Sequence, residues 1–147
     1  MKFFKIIIII FTTLFFGCEQ YSKETESFRK VLQNYDIEIP HDKYCFIVIP
    51  VFSCHGCIQK TWLWLEENVS IKNNYNITIL DGDKDDAFVK DINCELYFDT
   101  LQVLNNVCFD LANPTIIKTY NKKIISIISI DSRYIYETLD CELKYLI

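Results

Sequence analysis

The feature that most limits what this chain can fold into is a pair of cysteines two residues apart, Cys54-His55-Gly56-Cys57, set between an apolar run and a helical pattern. The run over residues 44–52 (Tyr44-Cys45-Phe46-Ile47-Val48-Ile49-Pro50-Val51-Phe52) is almost unbroken, which suits a strand buried on both faces of a parallel sheet. Behind the cysteines, Ile58, Trp62 and Leu65 share one face of a helix expected over residues 54–68. Strand, C-x-x-C, helix puts Cys54 at a helix N-terminus. Unpaired amides and the helix dipole there favour a thiolate, and an exposed low-pKa thiolate attacks disulfides.

The rest of the chain supplies a scaffold for such a turn. Phe28, Val31, Leu32 and Tyr35 recur at helical spacing, so residues 22–34 are expected to form a short amphipathic helix. Residues 36–43 hold Pro40 and read as a loop. Residues 75–80 alternate as a second strand that runs into Asp81-Gly82-Asp83. Residues 86–104 have helical character, in two pieces around Phe98-Asp99-Thr100. Two β-branched runs, 114–120 and 123–130, flank Asn121-Lys122 and give a hairpin signal without the usual turn glycine. A closing helix over residues 132–146 carries Ile135, Leu139, Leu143 and Leu146 on one side. The order α-β-α-β-α-β-β-α predicts an α/β fold with a mixed central sheet flanked by helices and an extra helix at the N-terminus.

The beginning of the chain reads as a targeting signal. Lys2 and Lys5 form a short basic region and residues 6–16 an apolar one, shorter than the roughly 20 residues a membrane span needs. The run ends in Phe15-Phe16-Gly17-Cys18, which resembles a bacterial lipobox. That resemblance implies cleavage after residue 17 and a lipid on Cys18, anchoring the chain in the bacterial cell envelope, facing the periplasm or the cell surface. The expected organisation is a signal peptide (1–17), a tether and first helix (18–35) and one globular domain (36–147). Without Lys2 and Lys5, 13 basic residues face 20 acidic ones, a net charge of −7. No basic patch is visible, so nucleic acid is not an expected partner. Six cysteines follow Cys18, a number compatible with disulfides in an exported chain.

Two segments together resemble the thioredoxin-like superfamily, and within it bacterial thioredoxin-like lipoproteins: Phe52-Ser53-Cys54-His55-Gly56-Cys57 after a strand, and Asn113-Pro114-Thr115-Ile116-Ile117 opening a later one. The likeness runs from Tyr44 to the C-terminus. It implies a thiol–disulfide oxidoreductase that acts on exported cysteine-containing proteins or on a redox partner protein and needs no cofactor. Cys54 is then the nucleophile, Cys57 the resolving thiol, and His55 the residue that tunes the potential. It also implies a cis bond at Pro114 beside the dithiol, with the backbone of Asn113 pairing with the substrate chain. Two departures stand out. Relatives commonly carry a buried acid six residues before the first cysteine, where this chain has Val48. Phe52 and Ser53 replace a tryptophan-containing lead-in.

Other readings compete. The pair can be a structural disulfide in a non-enzymatic lipoprotein that works as a binding module; the missing acid at Val48 favours this. A structural zinc site needs four ligands, and only His41, His55 and scattered cysteines accompany the pair. Copper handling needs a histidine after Cys57, and there is none. Asp81, Asp83 and Asp85 alternate as in a calcium loop. Asp86 and Ile92 stand where glycine and glutamate belong, so a solvated loop is expected. Cys45 reads as a small core residue and Cys141 as packed on the last helix. A bond between Cys94 and Cys108 is open on spacing alone, and Trp62 and Trp64 read as core or groove residues.

Overall fold

The computed structural model describes residues 20–69, 77–82 and 94–143. The expected signal peptide, Cys18, Asp83 and Asp85 lie outside the described residues. Helix α1 (Ser22–Gln33) is amphipathic and buries Phe28, Val31 and Leu32. Strand β1 (Tyr44–Ile49) follows, then helix α2 (His55–Val69), strand β2 (Ile77–Asp81) and strand β3 (Glu95–Phe98). A single 3-10 turn (Val103–Asn106) leads to strands β4 (Thr115–Tyr120) and β5 (Lys123–Ser129) and helix α3 (Ile135–Leu143).

The five strands form one mixed sheet in the order β3-β2-β1-β4-β5. Strand β1 is central, parallel to β2 and antiparallel to β4, and β3 runs parallel to β2. Its apolar sequence follows from this position, since both of its faces are covered. Cys45, Ile47 and Ile49 join one core with Ile58, Trp62 and Leu65 of α2 and Leu139 of α3. Phe46 and Val48 join the other, with Phe28, Val31 and Leu32 of α1 and Leu104 of the 3-10 turn. The chain is therefore an α/β sandwich with α2 and α3 on one side of the sheet and α1 on the other.

The hairpin forms without glycine. Asn121 and Lys122 both adopt left-handed backbone, with φ of 51° and 60°, the conformation a tight two-residue turn demands. The loop before β1 holds this turn from outside: the Asn121 and Lys122 amides donate to the carbonyls of His41 and Pro40. Arg29 of α1 donates to the Lys122 carbonyl at 3.1 Å. Strand β1 is shorter than its apolar run because Pro50 has no N–H to continue the ladder.

One expected element is wrong. Residues 95–98, read as helical, are strand β3. Leu96 packs on the α2 core and Tyr97 on the α1 core, an alternation of period two that the short segment hides among polar neighbours. Its hydrogen bonds come from β2, in the register Thr78↔Glu95 to Asp81↔Phe98. Tertiary pairing thus overrides local helical character. Asp99 then ends the strand. Its carboxylate accepts the amides of Val103 and Leu104 at 2.8 and 2.9 Å and the hydroxyl of Tyr35.

Candidate functional site

The dithiol stands where β1 leaves the sheet. Pro50 to Ser53 make a tight turn, closed by the Ser53 amide donating to the Pro50 carbonyl at 3.1 Å. Cys54 precedes the first helical residue of α2, and its carbonyl accepts the amides of Cys57 and Ile58 at 2.8 and 3.1 Å. Cys54 therefore caps the helix. Its sulfur also accepts the Cys57 amide at 3.1 Å. Cys54 and Cys57 are joined as a disulfide, with Cα atoms 5.2 Å apart.

The two sulfurs meet different surroundings. Cys54 is exposed, while Cys57 is 1% exposed and belongs to the core beneath α2. A reductant or a partner thiolate can approach only the first. Once reduced, Cys54 keeps helix-end amides that favour a thiolate. Cys57 would be a thiol in apolar surroundings, which disfavour ionisation. His55 and Gly56 are exposed between them. A Cβ on Gly56 would meet no atom within 4 Å, so space does not require glycine there.

The loop around the dithiol is apolar and outward-facing. Phe52 is 76% exposed and Val51 is exposed beside it. Leu101, 68% exposed, stands on the turn between Asp99 and Gln102. A shallow dent of about 10 Å³ joins the two segments, lined by Val51, Phe52, Gly82, Gln102 and Leu104 among others.

Pro114 lies at the same end of the sheet. Val48 pairs with Thr115, so the residue before Thr115 falls beside the end of β1 from which the cysteine loop departs. The expected cis bond is not there: among the described residues every peptide bond is trans. The trans form is the intrinsically favoured one for X–Pro, by about 0.5–1 kcal/mol. The flanking contacts hold this arrangement. The Ile130 amide donates to the Pro114 carbonyl at 2.8 Å and the Thr115 hydroxyl to the Asn113 carbonyl at 2.9 Å. Pro114 is buried and Asn113 half-buried, so the Asn113 carbonyl already has an intramolecular donor.

Val48 is fully buried on the α1 side of the sheet, away from the core that holds Cys57. The carboxylate that sequence reasoning missed is Asp81. It was expected in a solvated loop, but it ends β2 and is 1% exposed. The signal was present: Ile77 and Ile79 face α2, and alternation puts Asp81 on the same face.

The four other described cysteines are free, so Cys94 and Cys108 do not pair. Cys45 is buried in β1 as expected, and burial pushes its thiol up to about 12. Burial, reinforced by the Glu95 charge, pushes Cys94 up to about 12 as well. Cys141 is exposed on α3 rather than packed, and Cys108 is exposed too. Because the thiolate is the nucleophile, alkylation of the reduced chain near pH 8 should mark Cys54, Cys108 and Cys141 while sparing Cys45 and Cys94. Peptide mass mapping reads the pattern, and fast labelling of Cys45 would show that β1 opens readily. The Cys45 shift also has a sign for stability. The unfolded thiol ionises near its ordinary value and the folded one only near about 12. Its contribution is thus intact below the lower value and lost as pH rises between the two.

Among the described residues no helix is long and apolar enough to cross a membrane, and no three His, Cys, Asp or Glu side chains gather as a metal site. Comparison with protein-family models, with curated proteins and with solved structures finds no match to this chain.

Proposed function

We propose that this protein is a thiol–disulfide oxidoreductase of thioredoxin-like type, tethered to the bacterial cell envelope through Cys18. The observation that carries the reading is the inequality within the Cys54–Cys57 disulfide: one sulfur exposed at a helix start, the other buried beneath it. A purely structural clasp has no need of that division. Cys54 takes the nucleophilic step, forming a disulfide with one substrate sulfur and expelling the other as a thiolate. Cys57 then attacks the Cys54 sulfur, closing the intramolecular disulfide and releasing the second substrate thiolate. Electrons pass from the dithiol to the substrate, and the reverse sequence oxidises a substrate dithiol. His55 is the exposed first residue of α2, between the sulfurs, where a positive charge would favour the thiolate. The exposed Val51, Phe52 and Leu101 offer an apolar rim to an exported polypeptide that presents a cysteine. The sheet and helices are compatible with a thioredoxin-like arrangement.

Equilibration in a thiol redox buffer tests the reading. Potentials well above about −300 mV fit an exchanging pair; a value below that makes the disulfide structural. That second reading, a binding module with a locked disulfide, is favoured by Val48, which leaves the expected acid position apolar.

The tether has its own test. Cys18→Ala should leave the chain uncleaved or release it from the membrane fraction. Wild-type processing and fractionation of that variant would remove the lipid anchor from the proposal.

A further inference from the structure

We infer that the groove between the start of α1 and the β4–β5 hairpin rests on the phospholipid headgroups and turns the dithiol away from the membrane. The inference rests on the Cys18 anchor proposed above and is independent of the redox chemistry.

A lipid on Cys18 leaves a very short tether. Only Glu19 separates Cys18 from Gln20, and two residues span at most about 7 Å. The polar layer on each side of a bilayer is roughly 5–8 Å deep. Gln20 is therefore kept at or within the headgroups, and the surface around it meets them.

That surface is a groove of about 500 Å³ beside Gln20 and Tyr21. Tyr120, Lys123 and Ile125 of the hairpin line its other side. Tyr120 is 53% exposed and Ile125 52%, which sets them apart from Ile116, Ile117 and Ile124, buried on the same two strands. A phenol ring with a polar tip beside an aliphatic side chain suits the headgroup level, where tyrosine concentrates in membrane proteins.

The charge fits as well. After residue 17 the chain has 13 basic and 20 acidic residues, a net charge of −7, so an anionic surface repels it as a whole. Yet the groove is lined by Arg29 and Lys123 and by no carboxylate. Glu26 on α1 and Glu38 in the loop before β1 are held by Arg29 and Lys122 at 2.6 and 3.2 Å. Glu24, in the first turn of α1, is half-buried. Lys123 is exposed and forms no ion pair among the described residues, so its ammonium is available to a lipid phosphate.

The sheet sets the direction. Thr119, next to Tyr120, pairs with Tyr44 at the start of β1, whereas Cys54 follows the end of that strand. The six residues of β1 put its two ends about 17 Å apart. Val51, Phe52 and Leu101 also lie beyond the dithiol end, so the two exposed apolar patches are at opposite ends of the sheet. With the hairpin end on lipid, Cys54 meets polypeptides of the aqueous compartment, and a thiol within the bilayer is out of its reach.

The test uses the full-length chain, made in a bacterial host, purified in detergent and bound to vesicles of phosphatidylethanolamine and anionic phosphatidylglycerol. The mass of its N-terminal peptide reports the lipid on Cys18. Tyr120→Trp puts a fluorophore on the groove and Phe52→Trp one at the dithiol end. Both are read against the parent chain, whose Trp62 and Trp64 are buried. With a nitroxide on the lipid headgroups, the Tyr120→Trp signal should fall at least about twofold and the Phe52→Trp signal by less than about a tenth. Adding Lys123→Glu to the Tyr120→Trp chain should reduce that quenching at least about twofold. Equal quenching of the two probes, or an unquenched Tyr120→Trp signal on a lipid-bearing chain, overturns the docking and leaves the anchor standing. Quenching indifferent to Lys123→Glu also overturns it, because the groove is then not the contact. An N-terminal peptide without lipid overturns the anchor, and the docking with it. Should Tyr120→Trp fail to fold, Ile125→Trp on the same groove gives the same readout.

Discussion

Cys57→Ala is expected to convert the protein into a trap. In cells the variant should accumulate as mixed disulfides with other proteins, visible as thiol-sensitive bands on non-reducing gels, while Cys54→Ala should give none. The asymmetry follows from access. Cys54 is exposed at the start of α2 and its sulfur accepts the Cys57 amide, whereas Cys57 is in the core. The exposed thiolate can attack a partner without Cys57, but the resulting bond has no nearby thiol to resolve it. The expected effect is all-or-none for turnover, since each half of the exchange needs a different sulfur. In the reduced wild type, alkylation near pH 6 should mark Cys54 well before Cys57. Equal labelling of both thiols, with no trapped partner, would favour the locked-disulfide reading.

Much of this was legible in the sequence. The strand at Tyr44, the helix behind Cys54, the hairpin about Asn121-Lys122 and the first and last helices all show in hydrophobic period or turn position. What hid was set by long-range pairing. Strand β3 is four residues long, and its alternation is readable only once β2 lies beside it. Asp81 looked like part of an acidic loop because the residues after it are acidic; its burial depends on β1 and Asp99 closing around the strand end. The expected cis bond at Pro114 came from a likeness between short motifs. A motif fixes the residue, but the backbone on either side fixes the isomer, and here Thr115 and Ile130 hold a trans arrangement. The exposure of Phe52 was equally invisible, because an apolar residue ending an apolar run reads as core. Only the turn after Pro50 swings it outward.

The largest loss of stability is expected from Trp62→Ala. Trp62 is fully buried on α2, one helical turn beyond Ile58, in the core shared with Ile47, Ile49 and Leu139. Removing the ring should cost about 3–5 kcal/mol, the transfer free energy of the lost surface plus the cavity left by neighbours that cannot fully close in. A single domain has roughly 5–15 kcal/mol in total, so the variant should unfold at a far lower urea concentration or fail to accumulate. Two controls separate packing from hydrogen bonding. The Trp62 indole N–H meets no acceptor among the described residues, so Trp62→Phe sacrifices ring volume but no hydrogen bond and should cost well under half as much as alanine. Trp64, in contrast, donates to Asp140 across to α3 at 2.8 Å. Its phenylalanine variant loses both volume and that bond and should be the more damaging of the two conservative changes. Phe52→Ala, at a side chain 76% exposed, should shift stability by no more than about 0.5 kcal/mol. A drop in exchange rate for Phe52→Ala at unchanged stability would place that ring on the substrate side of the dithiol. Unfolding curves for the four variants decide these points, and a Trp62→Ala loss below about 1 kcal/mol would show that α2 is not packed on the sheet as described.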